Sequence, residues 1–226
     1  MIHERCLNAV KKTIKDYDLP MKVIVKDESW LMRTANVVVR IFNPRFMQDY
    51  ATAIPFLGRV YIPSSWYADD YWRVLAHEGV HLQQGKIEGQ LAFSLKYMFP
   101  QVLSLLALGA IGAIWFFPML LCLLFLLFLA PLPAPWRVKY EREAYLVTAA
   151  IDKIHSKFDI TSNLYYDYMV EHHTGWAYYK PSWNAAAVKE KIVVDMVKAE
   201  RLVDGDHSGS YVADVIQAIK TEEEAQ

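Results

Sequence analysis

Five consecutive residues, His77-Glu78-Gly79-Val80-His81, carry the densest potential chemistry in the chain. Histidines four positions apart stand one turn above each other on a helix, so both imidazoles can reach one ion from the same side. Zinc takes such nitrogens at about 2.0 to 2.1 Å in a tetrahedron, and a catalytic site leaves one position for water. Glu78 is then placed to take a proton from that water during attack on a carbonyl. The motif offers two candidate metal ligands, His77 and His81, and a candidate general base, Glu78. The expected cofactor is Zn2+, although manganese, iron and cobalt accept the same ligand types.

The flanking sequence predicts a helix from a cap at Ser64 or Ser65 through about Gln84, with Asp69 and Asp70 close to its positive end. On that helix Trp72, Leu75 and Leu82 fall on one side and Asp70, Arg73, His77, His81 and Gln84 on the other. A histidine pair serving only the core would share the apolar stripe. These two lie on the polar side, which favours metal over packing.

A third protein ligand is needed, and the best candidate segment is Tyr140-Glu141-Arg142-Glu143-Ala144-Tyr145. An HExxH helix followed by a glutamate in an E-x-x-A context resembles the gluzincin branch of the zincin metallopeptidases, including minimal gluzincins and the membrane CAAX-prenyl endopeptidases. The resemblance implies a peptidase in which the first glutamate, here Glu141, completes the metal site. Such families often continue with an aspartate after the alanine, whereas this chain has Tyr145, and Glu143 stays open as the alternative ligand. The resemblance further implies that Gly58 to Pro63 form an edge strand against which an extended substrate pairs. For the donor that steadies a developing oxyanion, His172, His173 and the tyrosines 145, 165 and 166 are available, and the pair His172 and His173 is the candidate taken forward.

The elements that must position these groups follow from periodicity. Residues 1 to 17 place Ile2, Cys6, Ala9, Val10 and Ile14 at helical spacing, ending before Pro20. Three β-leaning runs, Met21 to Lys26, Asn36 to Phe42 and Phe56 to Ile62, suggest a small, mostly antiparallel sheet. Helices are expected around 138 to 155 and 184 to 203, with an aromatic, histidine-containing stretch from Tyr165 to Trp183 between them. The acidic end from Thr221 is expected to fray. The fold class is α+β: one zincin-like domain over 1–226, with C-terminal helices following the HExxH helix.

From Leu91 to Trp136 the only charge is Lys96, and the composition is of membrane type. His81 precedes this run and Glu141 follows it. A single crossing would part them by a hydrocarbon layer about 30 Å thick, whereas one zinc needs both within about 2 Å. The run must therefore enter and return on one side, as a helical hairpin over 91–136 broken near Gly109, Gly112, Trp115 and Pro118. Lys96 at one end, with Arg137 and Lys139 at the other, puts both ends on the cytoplasmic side.

With 24 basic and 25 acidic side chains the formal charge is -1, which gives no field for nucleic acid. Cys6 and Cys122 are the only cysteines, the second inside the apolar run, so a reducing compartment fits better than a disulfide framework. The N-terminus has no secretory signal pattern. The expected function is a membrane-associated zinc metallopeptidase acting on a peptide or protein substrate, with a lipid bilayer as partner of 91–136. A non-catalytic membrane or virion-associated protein keeping the fold, or a membrane-active toxin, are the alternatives.

Overall fold

The computed structural model describes residues 2–41, 44–48, 51–66, 71–130, 132–175, 182–205 and 209–225. It is a mostly helical α+β fold with a small mixed sheet. Helix α1 (Ile2–Asp16) leads into strand β1 (Lys22–Val25), helix α2 (Trp30–Val39) and strands β2 (Thr52–Ile54) and β3 (Arg59–Ile62). The HExxH helix α3 (Tyr71–Glu88) and the short α4 (Gln90–Tyr97) follow. Two 3-10 arms come next, Gln101–Ile114 and Phe117–Leu129, then α5 (Pro135–Ile154), α6 (Asn163–Thr174), α7 (Ala185–Val203) and α8 (Tyr211–Glu224).

Within the sheet, β3 is central, parallel to β1 and antiparallel to β2. This corrects two expectations. The sheet is mixed rather than mostly antiparallel, and the strand in Gly58 to Pro63 is paired on both sides, so its main chain cannot serve as a free edge; the edges are β1 and β2. Asn36 to Val39, read as strand from its β-branched valines, ends α2 instead. There Ser29 Oγ accepts the Met32 N–H at 3.3 Å as a cap, and Met32 is buried, so capping and packing outweigh a propensity difference of less than about 1 kcal/mol per residue. Phe42 lies outside the described residues.

Ser64 belongs to a separate turn, Ser64–Trp66, and its hydroxyl donates to Asp27 rather than capping α3, which starts at Tyr71. Asp69 and Asp70 lie outside the described residues. The chain end does not fray from Thr221: α8 runs to Glu224, because Ser210 caps it and Val212, Val215, Ile216 and Ile219 bury an apolar stripe.

One core joins α1, β3, α3, α5, α6, α7 and α8. Helix α3 is its axis, and both of its sides are covered. Trp72, Leu75 and Leu82 pack in the apolar core as expected, while the polar side lies under α5. The two helices run antiparallel along a polar ladder: Arg73 to Asp152, His77 to Thr148, His81 to Glu141, and Gln84 to Glu143 and the Tyr140 carbonyl. Close approach of α8 depends on Gly79, where a Cβ would land on the Tyr211 hydroxyl and come within 2.7 Å of its Cζ.

The two 3-10 arms pack antiparallel, Gly109 against Cys122 and Gly112 against Met119, with the reversal at Trp115 and Phe116. Gly89, at φ +86°, separates α3 from α4, and α4 meets the first arm at 93°. Among the described residues no single helix is long and apolar enough to cross a membrane, although α4 and the first arm qualify as a bent pair.

Candidate metal centre

The four-residue spacing does what helical geometry requires: the rings of His77 and His81 lie 5.3 Å apart on one side of α3. Opposite them, α5 presents Glu141. His77 Nε2 is 3.5 Å from Glu141 Oε2, and His81 Nε2 is 3.6 Å from Glu141 Oε1. One ligand atom from each of the three residues lies within 4.8 Å of the others. Tetrahedral ligands at 2.0 to 2.1 Å from zinc stand about 3.3 Å apart, and the two histidine–carboxylate contacts of 3.5 and 3.6 Å are close to that spacing.

The outer partners fix which ring nitrogen faces the centre. Gln84 Nε2 donates to the Tyr140 carbonyl at 3.1 Å and to Glu143 Oε2 at 2.9 Å. Both are acceptors, so the Gln84 amide must turn its oxygen to His81 Nδ1, 2.9 Å away. That nitrogen then carries a proton, and Nε2 is the atom that faces Glu141, free to bind a metal once its own proton is lost. His77 Nδ1 pairs likewise with Thr148 Oγ1 at 3.0 Å. Such partners hold ligand rings in place and raise their basicity. Glu143, open as an alternative ligand in the sequence, is outside the metal-competent group and anchors Gln84 instead.

Aromatic rings wall the site. Tyr145 meets His77 edge-on at 5.0 Å, and Tyr97 meets His81 at 5.4 Å. The Tyr97 hydroxyl also donates to Glu141 Oε1. Arg137, one turn before Glu141 on α5, donates to the Tyr97 carbonyl and lies over its ring.

Burial shapes the charges. Glu78 is buried, and desolvation pushes its carboxyl up, opposed by the charges of His81 and His77 and reinforced by Glu141. For His81 desolvation acts downward, but Glu141 overcomes it and the imidazole is pushed up to about 9. Burial would raise Glu141, yet the charge of His81 and the hydrogen bonds from both histidines hold it well below the usual carboxylate range.

His172 and His173 lie on α6, one ring layer further out. Both contact Tyr145, at 5.3 Å each, and their Nδ1 atoms face the carbonyls of Tyr168 and Met169. Neither belongs to the metal-competent group. Tyr145, the ring between them and His77, is an oxyanion candidate named from sequence that packs against a ligand ring. Tyr165 instead donates to Asp152 at 2.7 Å, in the polar ladder about three turns along α5 from Glu141.

Three contributors escaped the sequence. Gln84 had a usable signal, since positions three apart on a helix meet. Tyr97 had little beyond being a phenol in an otherwise apolar run. Lys26 had none. This lysine is fully buried after β1, donates to the Phe46 carbonyl at 2.8 Å, and sits 3.9 Å from the centre of the Phe46 ring. Burial pushes its amine down to about 7, opposed by the charges of Glu78 and Asp27.

Compared with protein-family models, with curated proteins and with solved structures, the chain matches none.

Proposed function

We propose that the chain is a membrane-associated zinc metallopeptidase in which His77 Nε2, His81 Nε2 and a Glu141 carboxylate oxygen hold the metal. The observation that carries this reading is the convergence of those three donors within 4.8 Å, while both Nδ1 atoms are engaged by outer partners. Three protein ligands leave one tetrahedral position for water or substrate, the arrangement of catalytic rather than structural zinc. When bound, zinc polarises a carbonyl and lowers the pKa of a water to about 7. Glu78 supplies the base: its carboxyl, raised by burial, accepts the water proton and hands it to the leaving amine. Tyr97 and Tyr145 keep bulk solvent from the ligand rings.

The apolar arms support the membrane part. No charged residue occurs between Lys96 and Arg137. Leu108, Ile114, Trp115, Phe117, Leu121 and Leu127 are 65% to 82% exposed, an expanse that water does not favour and lipid does. At about 2.0 Å per residue, arms of 14 and 13 residues reach roughly 26 to 28 Å, close to a hydrocarbon core of about 30 Å.

The test is full-length protein in detergent, assayed for zinc content and for cleavage of casein, beside Glu78→Gln. The expected outcome is one zinc in both and activity at least about a hundredfold lower in the variant. Equal activity in the two would remove Glu78 from the chemistry, and no bound zinc in either would remove the site.

A further inference from the structure

Helix α4 joins the metal centre to the apolar arms, and its two sides differ. One side faces inward: Phe93 is buried against Tyr140 at 4.7 Å between ring centres, and Tyr97 reaches His81 and Glu141. Leu91, Leu95 and Met98, at spacings of four and three, form an outer stripe that is 70%, 47% and 46% exposed. The helix turns 93° into the first arm. The base of the arms is tied back to α5, since Arg137 donates to Gln101 Oε1 at 2.9 Å and to the Tyr97 carbonyl at 3.2 Å.

A right-angle turn from a one-sided apolar helix into an arm apolar all round is the shape of a segment that lies in the headgroup layer and then descends into lipid. Amphipathic helices in that position sink their apolar side about 5 to 10 Å into the boundary. Lys96, at the end of α4 and paired with Glu88 at 2.6 Å, stands at headgroup level. We propose that α4 lies flat on a lipid bilayer, with Leu91, Leu95 and Met98 in the lipid. It thereby holds the metal centre within about one helix diameter, 10 to 12 Å, of the membrane surface. The substrates this geometry admits are polypeptide segments running along that surface. The inference rests on the membrane reading of the arms, and it places the site relative to the bilayer.

Depth measurement with nitroxide labels tests it without relying on activity or metal. In a Cys122→Ala background, with Cys6 buried, single cysteines replace Leu91, Leu95 and Met98. Leu124→Cys marks the arms and Glu190→Cys, on the exposed side of α7, marks solvent. In phosphatidylcholine–phosphatidylglycerol vesicles the three α4 labels are expected about 5 to 10 Å below the phosphates, shielded from a water-soluble nickel chelate. The Leu124 label should be deeper and the Glu190 label fully aqueous. Aqueous α4 labels beside a deep Leu124 label overturn the placement of α4 alone. Labels on α4 as deep as Leu124 overturn it by making the helix part of a span. An aqueous Leu124 label sinks the membrane reading beneath it.

Discussion

The side-chain oxygen of Gln84 stands 2.9 Å from Nδ1 of His81, three residues earlier on the same helix. Because the Gln84 nitrogen is committed to Glu143 and the Tyr140 carbonyl, this contact sets the His81 tautomer. Gln84→Leu removes it at similar volume and should weaken zinc binding by about 10 to 100-fold in chelator competition. Gln84→Glu keeps an acceptor for His81 but turns a carboxylate on two other acceptors, and should weaken binding too. Zinc affinity within twofold of the parent in Gln84→Leu would show that the ring is held by something else.

Protons and metal compete for the same nitrogen. With His81 raised to about 9 by Glu141, apparent zinc affinity should climb roughly tenfold per pH unit up to about pH 9, then level. Chelator-treated protein should show the opposite trend in stability. The raised His81 contributes fully below its unfolded pKa near 6.5, and that contribution is lost as pH rises through about 9. The depressed Glu141 contributes above its unfolded value of 4.5 and is lost below it. The raised Glu78 costs stability once pH exceeds 4.5, adding to the alkaline decline. Thermal melts across pH should therefore peak near pH 4.5 as far as this cluster is concerned, falling on the alkaline side first through Glu78 and then, above about 6.5, through His81, and Glu141→Gln should flatten the acidic limb and the His81 part of the alkaline one. A parent and variant with parallel melting profiles would refute the coupling.

The centre was legible where it is local and opaque where it is tertiary. His77, Glu78 and His81 follow from spacing on one helix. Glu141 is reachable only through a pattern linking segments 60 residues apart, and it separates from Glu143 only in the fold, where the first faces the two histidines and the second Gln84. The polar side that the sequence gives α3 meets α5 rather than water. Helices α1, α5 and α7 obeyed their periodicity. Helix α2 did not, since three consecutive valines argued for strand until Ser29 and Met32 showed where the helix is capped and packed. Helix α8 had a readable signal in Ser210 followed by Val212, Val215, Ile216 and Ile219, which the acidic residues after it obscured.

Gly79 is constrained by packing rather than by the metal. A methyl group there would meet the ring and hydroxyl of Tyr211, which is 2% exposed on α8 and cannot swing into solvent. Gly79→Ala would gain helix propensity of about 1 kcal/mol, but overpacking costs typically 1 to 3 kcal/mol, so a net loss of melting temperature is expected. The Tyr211 hydroxyl is buried without a hydrogen-bond partner among the described residues, so Tyr211→Phe should be neutral or stabilising. In the double variant the alanine should cost less than in the parent background, though more than nothing, because the ring carbon remains in the way. A cycle showing strict additivity would disconnect the two positions.

Lys26 gives the last test, since it reports on the base from outside the ligand set. Its amine, lowered to about 7 from 10.5, binds a proton more readily in the unfolded chain, so it makes stability rise with pH between those values. Lys26→Met removes a buried cation while keeping an unbranched apolar chain. It should raise the melting temperature at pH 7 and abolish that rise. The same ammonium helps hold the Glu78 carboxyl down. Without it Glu78 sheds its proton at higher pH, and the acidic limb of the proposed peptidase activity should move toward alkaline pH with metal content unchanged. An acidic limb that stays put while stability responds would assign Lys26 to the fold and leave Glu78 tuned by burial, the histidines and Glu141.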